Sequence, residues 1–153
     1  MTINIVLTAQ LILTTIIASQ GIFYLLGAAR AYKHLSLHAF NEQRRLLDSV
    51  LPSRLKILYV LVLMTGLTGL FLLHDAILSR PFTGVLLSLS LILADIVLAI
   101  KINLPINHAI IHLETGDLDR GTKLQQTWLK AISARGILSA LSLIAVLWSW
   151  ASL

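Results

Sequence analysis

The sequence predicts an all-α integral membrane protein, a single domain over residues 1–153 built as a four-transmembrane-helix bundle. Three observations lead there. Hydrophobic residues make up 57% of the chain and charged residues only 12%, against roughly 45–50% and about 25% in a soluble domain. A small globule exposes too much surface for so little polar material to cover it. The apolar residues gather into four runs, each near the ~20 residues that cross a bilayer. Basic residues, in contrast, collect in two of the connections between those runs, as they do on the cytoplasmic side of membrane proteins.

The first span runs from about Ile5 to Gly27, the second from about Leu55 to Leu73, the third from about Phe82 to Ile102, and the fourth from about Ala131 to Leu153. The first and third are expected to continue into the polar connections, and the fourth to begin near Thr122. Met1-Thr-Ile-Asn4 carries no basic residue, and no small-residue cleavage site follows, so the first run reads as a retained span rather than a removable signal. Residues 28–54 are too polar to cross a membrane. Yet Tyr32, Leu35, Leu37, Phe40, Leu46, Leu47, Val50 and Leu51 recur at near-helical spacing among the charges. That pattern predicts an extension of the first helix followed by an amphipathic cytoplasmic helix between spans 1 and 2, broken at Pro52-Ser53. Glu114-Thr-Gly-Asp-Leu-Asp119 reads as a turn that caps the fourth helix.

Charge sets the expected orientation. The two long connections hold ten lysines and arginines, while the turn between spans 2 and 3 holds only Arg80. Both basic connections should face the cytoplasm and both termini the outside, in what reads as a bacterial cytoplasmic (inner) membrane. Trp148 and Trp150 then fall at the outer interface and Trp128 near the inner one, as aromatic anchors do. The net charge of +5 is accounted for by this asymmetry, so the expected partner is the lipid bilayer and not nucleic acid. With no cysteine, the chain has neither disulfides nor thiolate chemistry.

Ionisable residues at membrane depth are costly and face the bundle interior. Asp95 lies about two turns inward from Lys101, and Arg135 about one turn into the apolar part of the fourth span. The two helices are antiparallel, so an Asp95–Arg135 pair is expected in the cytoplasmic half, with Gln20 and Tyr59 at the same level. Together these four could line a polar pocket, or the pair could simply lock two helices together, or Arg135 could snorkel to the interface without a partner. Gly66, Gly69, Gly136 and Ala140 supply small residues for close helix contact, and Thr8, Thr14, Thr15 and Ser19 give the first span a hydroxyl-rich face.

Two His-x-x-x-His pairs, His34/His38 and His108/His112, place imidazoles four apart on a helix face if helical. Should they converge, they would suit iron, zinc or copper, or haem with one histidine from each side; the alternatives are plain boundary residues and no cofactor at all. Between Lys101 and His112, Pro105 removes an N–H and frees the Lys101 carbonyl. It should kink or end the third helix, with the Asn103 and Asn107 amides meeting the freed backbone.

Asn103-Leu-Pro-Ile-Asn107, followed by Trp128 and Arg135 on the last helix, resembles the anthrone oxygenase-like family of small four-helix membrane proteins. Gln20-Gly21-Ile-Phe23 is similar to that family's opening, while Ser133 stands where many members carry a histidine between Trp and Arg. The resemblance implies oxidation of a polycyclic phenolic substrate by oxygen, without a cofactor or with a metal. Asp95 and Arg135 would be its catalytic residues, Asp95 as base and Arg135 as donor. Asn103, Asn107, Gln20, Tyr59 and Trp128 would bind substrate. Two other roles fit the same sequence. One is a non-catalytic subunit or scaffold of a larger membrane complex. The other is a transporter or channel, which four spans could form only as a homo-oligomer.

Overall fold

A computed structural model describes residues 2–113 and 117–151, and among these it contains helices and no strand. Four continuous helical rods, Thr2–Lys33, Leu37–Leu72, Arg80–Ile111 and Leu118–Trp150, are long and apolar enough to cross a membrane. The chain is therefore an all-α four-helix bundle of membrane-spanning type. Large apolar side chains such as Ile57, Met64, Phe71, Leu93 and Ile144 point outward from it, which places them against lipid.

The first rod comprises α1 (Thr2–Phe23), a π-helical turn over Tyr24–Ala28 and α2 (Ala29–Lys33), with a kink at Gly27. The second is α3 (Leu37–Leu72), opened by Ser36, whose hydroxyl accepts from the Ala39 N–H at 3.3 Å. The third joins α4 (Arg80–Leu98), a π-helical turn over Ala99–Asn103 and α5 (Leu104–Ile111). The fourth is α6 (Leu118–Trp150), capped by Asp117, whose carboxylate accepts from the Arg120 N–H at 3.2 Å. Such side-chain acceptors satisfy N–H groups that the first helical turn leaves unpaired. Asp117 is thus the cap expected in the 114–119 turn; Glu114 to Gly116 lie outside the described residues.

Small residues set how closely the rods approach. A Cβ added at Gly21 would meet Gly136 Cα at 2.7 Å, and the Ser139 hydroxyl nearer still, so α1 and α6 cross backbone to backbone there. At Gly84 it would meet the Ala145 carbonyl at 2.8 Å, fixing a second crossing of α4 and α6. Serine hydroxyls join the same two helices: those of Ser88 and Ser142 lie 2.8 Å apart, and that of Ser149 donates to the Pro81 carbonyl at 2.8 Å. With little hydrophobic drive between helices in lipid, close packing and such hydrogen bonds hold the bundle together.

Several expectations need correction here. No separate amphipathic helix stands between spans 1 and 2: residues 37–72 form one helix that passes through Pro52 without a break. Pro52 is exposed and forfeits a single backbone bond, and its ring does not divide the rod. Pro105 likewise does not end the third helix. It lies inside the continuous rod directly after the π-helical turn Ala99–Asn103, a local adjustment of the kind that accommodates a proline's ring and missing N–H. The hydroxyls of span 1 do not share one face: Thr14 is buried, whereas those of Thr15 and Ser19 turn back to their own helix carbonyls on the exposed side.

Candidate functional site

Within the half of the bundle nearest the basic connections lies a cavity of about 550 Å³, inside the range of small-molecule sites. Its walls are mainly apolar: Leu51, Leu55 and Leu63 of α3, Ile96 of α4, and Ile132 of α6. The rim combines exposed Pro52, Lys56 and Val60 on one rod with exposed Ile100 and Leu104 on the next. The mouth therefore opens sideways between the second and third rods, on the bundle's flank.

At the inner end stands the expected ion pair. Arg135 Nε donates to Asp95 Oδ1 at 2.6 Å, and its Nη2 reaches Oδ2 at 3.4 Å. Arg135 Nη2 also donates to the Tyr59 hydroxyl at 3.0 Å, and that hydroxyl donates in turn to Asp95 Oδ2. Three helices are thus tied together by one closed polar triangle. Asp95 is 1% exposed; a charge so deep survives only when paired and hydrogen-bonded. Tyr59 and Arg135 face the large cavity, whereas Asp95 stands behind them and lines a small void of about 10 Å³ shared with Gln20 and Ser139. Gln20 borders both spaces. A group in the large cavity would meet the Tyr59 hydroxyl and the Arg135 guanidinium first, with the carboxylate one bond further back.

The outer end is a second polar centre that the sequence reading did not anticipate. Arg44 and Asp48, one turn apart on α3, form an ion pair whose side chains are 7% and 12% exposed. Asn107 bridges it to the last helix: its amide nitrogen donates to Asp48 Oδ1 at 3.1 Å, and its oxygen accepts from Trp128 Nε1 at 3.1 Å. The Arg44 guanidinium lies 4.6 Å from the Trp128 ring centroid, within cation–π range. Tyr24, Tyr32 and Phe40 pack around the same indole. Gln125 of α6 donates to the Tyr32 carbonyl at 2.9 Å, tying the last helix to the end of α2. In sequence, Arg44 looked like one more loop charge. The available signal was Phe40, Arg44 and Asp48 spaced by four, which puts both charges on the stripe of an apolar core residue.

Trp128, expected as an interface anchor, is only 2% exposed and forms the centre of this aromatic cluster; it also lines the cavity. Trp148 and Trp150 do remain at the surface near the chain's end. Asn107 lines the cavity too, but both ends of its amide are spent on side chains, not on backbone freed by Pro105. Asn103, 4% exposed, lines the cavity with neither amide atom hydrogen-bonded among the described residues.

The four histidines are not brought together. His34 caps the end of α2 while His38 lies in α3 beyond the Ser36 break, so the first pair does not share a helix face. His38 instead meets exposed Glu42 at 3.4 Å. His108 lies in α5 and His112 caps its end, both exposed. Among the described residues no three histidine, aspartate or glutamate side chains gather closely enough to hold a metal, so the geometry lends no support to a metal or haem centre built from His34, His38, His108 and His112.

No family model, curated protein or solved structure gives a significant match to this chain.

Proposed function

We propose that this chain is a membrane enzyme that takes a lipid-soluble aromatic molecule through the flank of the bundle and oxidises it at the Tyr59–Arg135–Asp95 centre. The observation that carries the reading is a largely apolar, side-opening cavity whose inner wall presents a phenol and a guanidinium backed by a buried carboxylate. The side opening suits a substrate dissolved in lipid, and the polar inner end suits an oxygen atom on it. The anthrone oxygenase-like resemblance of Asn103, Pro105, Asn107, Trp128 and Arg135 supplies the reaction class.

In that chemistry a ring CH₂ between aromatic rings becomes a carbonyl: CH₂ and O₂ give C=O and water. The step that needs the protein is loss of the first proton. Tyr59 passes its own proton to Asp95 as it takes one from the substrate carbon, and Arg135, its carboxylate partner now neutral, balances the charge appearing on the substrate oxygen. Oxygen accepts the electrons of the carbanion. The basic connections, and with them the cavity's outer end, face the cytoplasm in this reading.

Anthrone tests it directly, with oxygen uptake followed at an electrode and anthraquinone by absorbance. The wild-type protein in lipid nanodiscs should exceed empty discs, and Tyr59→Phe should lower the rate by about 10²-fold or more, the usual worth of a placed acid–base group, without loss of the folded state. No rate above empty discs, together with no thermal stabilisation by anthrone or 2-naphthol, overturns the proposal.

A further inference from the structure

The outer end of the cavity holds an excess of unanswered hydrogen-bonding groups. Both amide atoms of Asn103, the Arg44 Nε and the Asp48 Oδ2 are buried and lack a partner among the described residues, and all three residues border the same cavity. Buried polar groups are almost always paired, and leaving one unpaired costs stability. Four such atoms at one end of a cavity large enough for a small molecule mark a place where a ligand completes the set.

We infer that Asn103, Arg44 and Asp48 form a second polar subsite, which receives a neutral end group able both to donate and to accept hydrogen bonds, a hydroxyl or a carboxamide. This rests on the reading of the cavity as a ligand site and names what the far end of that ligand must carry. The charges decide its class. The guanidinium of Arg44 is already matched by Asp48, so an anionic end group would meet the Asp48 carboxylate and a cationic one would meet Arg44. Asn103 offers one donor group and one acceptor and favours neither sign.

The ligand has to reach from the Tyr59–Arg135 face to Asn103 across the cavity, and a fused aromatic with an oxygen at each end is a probe of that kind.

The experiment compares three probes on the full chain in nanodiscs, by competition and thermal shift: 2-naphthol, 2,6-dihydroxynaphthalene and 6-hydroxy-2-naphthoate. The diol should bind about three- to tenfold more tightly than 2-naphthol, the worth of one added hydrogen-bonding group, and the naphthoate more weakly than the diol. In Asn103→Leu, or Asn103→Ala if the first variant folds poorly, the diol-to-naphthol preference should fall to about one. A wild-type ratio near one means that the subsite holds only water and overturns the inference while leaving the cavity reading intact. Tighter binding of the naphthoate overturns it as well. If none of the three binds, the cavity reading itself fails and this one with it. Monoolein, a neutral lipid with the same hydroxyl chemistry, separates the two sources of such a group. Failure to displace the diol supports an aromatic ligand; displacement at equal concentration keeps the hydroxyl subsite and assigns it to a lipid headgroup.

Discussion

The Asp95–Arg135 pair gives the sharpest test of how this bundle is held together. Asp95 is 1% exposed and the Arg135 side chain 14%, so removing either partner strands the other in the interior. Breaking a buried pair in this way costs about 3–5 kcal/mol. Arg135→Met should fall near the top of that range, because it leaves the deeper charge with Tyr59 as its remaining partner. Asp95→Asn should fall nearer the bottom: an amide oxygen still accepts from the guanidinium, which keeps some exposure. Combining the two substitutions removes both charges. The double variant should therefore fall short of the summed losses by about 2–3 kcal/mol, within the range of coupling between touching residues. Reversible unfolding in mixed lipid–detergent micelles, followed by far-ultraviolet circular dichroism, measures all four corners of the cycle. Losses that add to within about 0.5 kcal/mol would mean that the two groups do not interact, and both the polar triangle and the proton path through it would have to be abandoned.

Two further expectations concern packing. Gly21→Ala should destabilise by about 1–3 kcal/mol, because its Cβ meets the Gly136 backbone, which cannot turn aside as the Ser139 hydroxyl can. Gly69→Ala, whose Cβ finds only side chains at 3.6 Å and beyond, should instead be neutral or stabilising by up to about 1 kcal/mol through helix propensity; equal effects at the two sites, measured in the same unfolding assay, would contradict the described crossing. With Trp148→Phe and Trp150→Phe in place, the remaining Trp128 should emit at short wavelength and resist quenching by acrylamide, since it is buried. Emission at the wavelength of an exposed indole would return it to the membrane interface.

The four-helix bundle was legible because lipid imposes it: apolar runs of spanning length leave little else for the chain to form. The Asp95–Arg135 pair was legible for a related reason, since two charges at similar depth on antiparallel helices have few other partners. What the sequence concealed depended on register. Pro52 looked like a stop because proline usually is one, and only the continuous rod shows the turn tolerating it. His34 and His38 looked like neighbours because their spacing presumes one helix, and the Ser36 cap divides them. Arg44 and Asp48 were hidden by their setting among other charges, where counting basic residues gives the side of the membrane but not which of them turns inward. Trp128 was misplaced by the same logic, because its depth suggested an interface while its direction, set by the packing of Tyr24, Tyr32 and Phe40, did not.

The π-helical turn Ala99–Asn103 contributes to the cavity wall. It holds one more residue than an α-helical turn would, and one residue is about 100° of rotation. Removing a residue from it would not shorten the span appreciably. It would swing Pro105, Asn107 and His108 around the rod together, so that Asn107 lost both Trp128 and Asp48 at once. The turn thus acts as a phase joint between two lengths of helix. The inner length is indexed to the Gly84 crossing and Asp95, the outer length to the indole, and a deletion within the joint would put the two out of step although every side chain beyond it was intact.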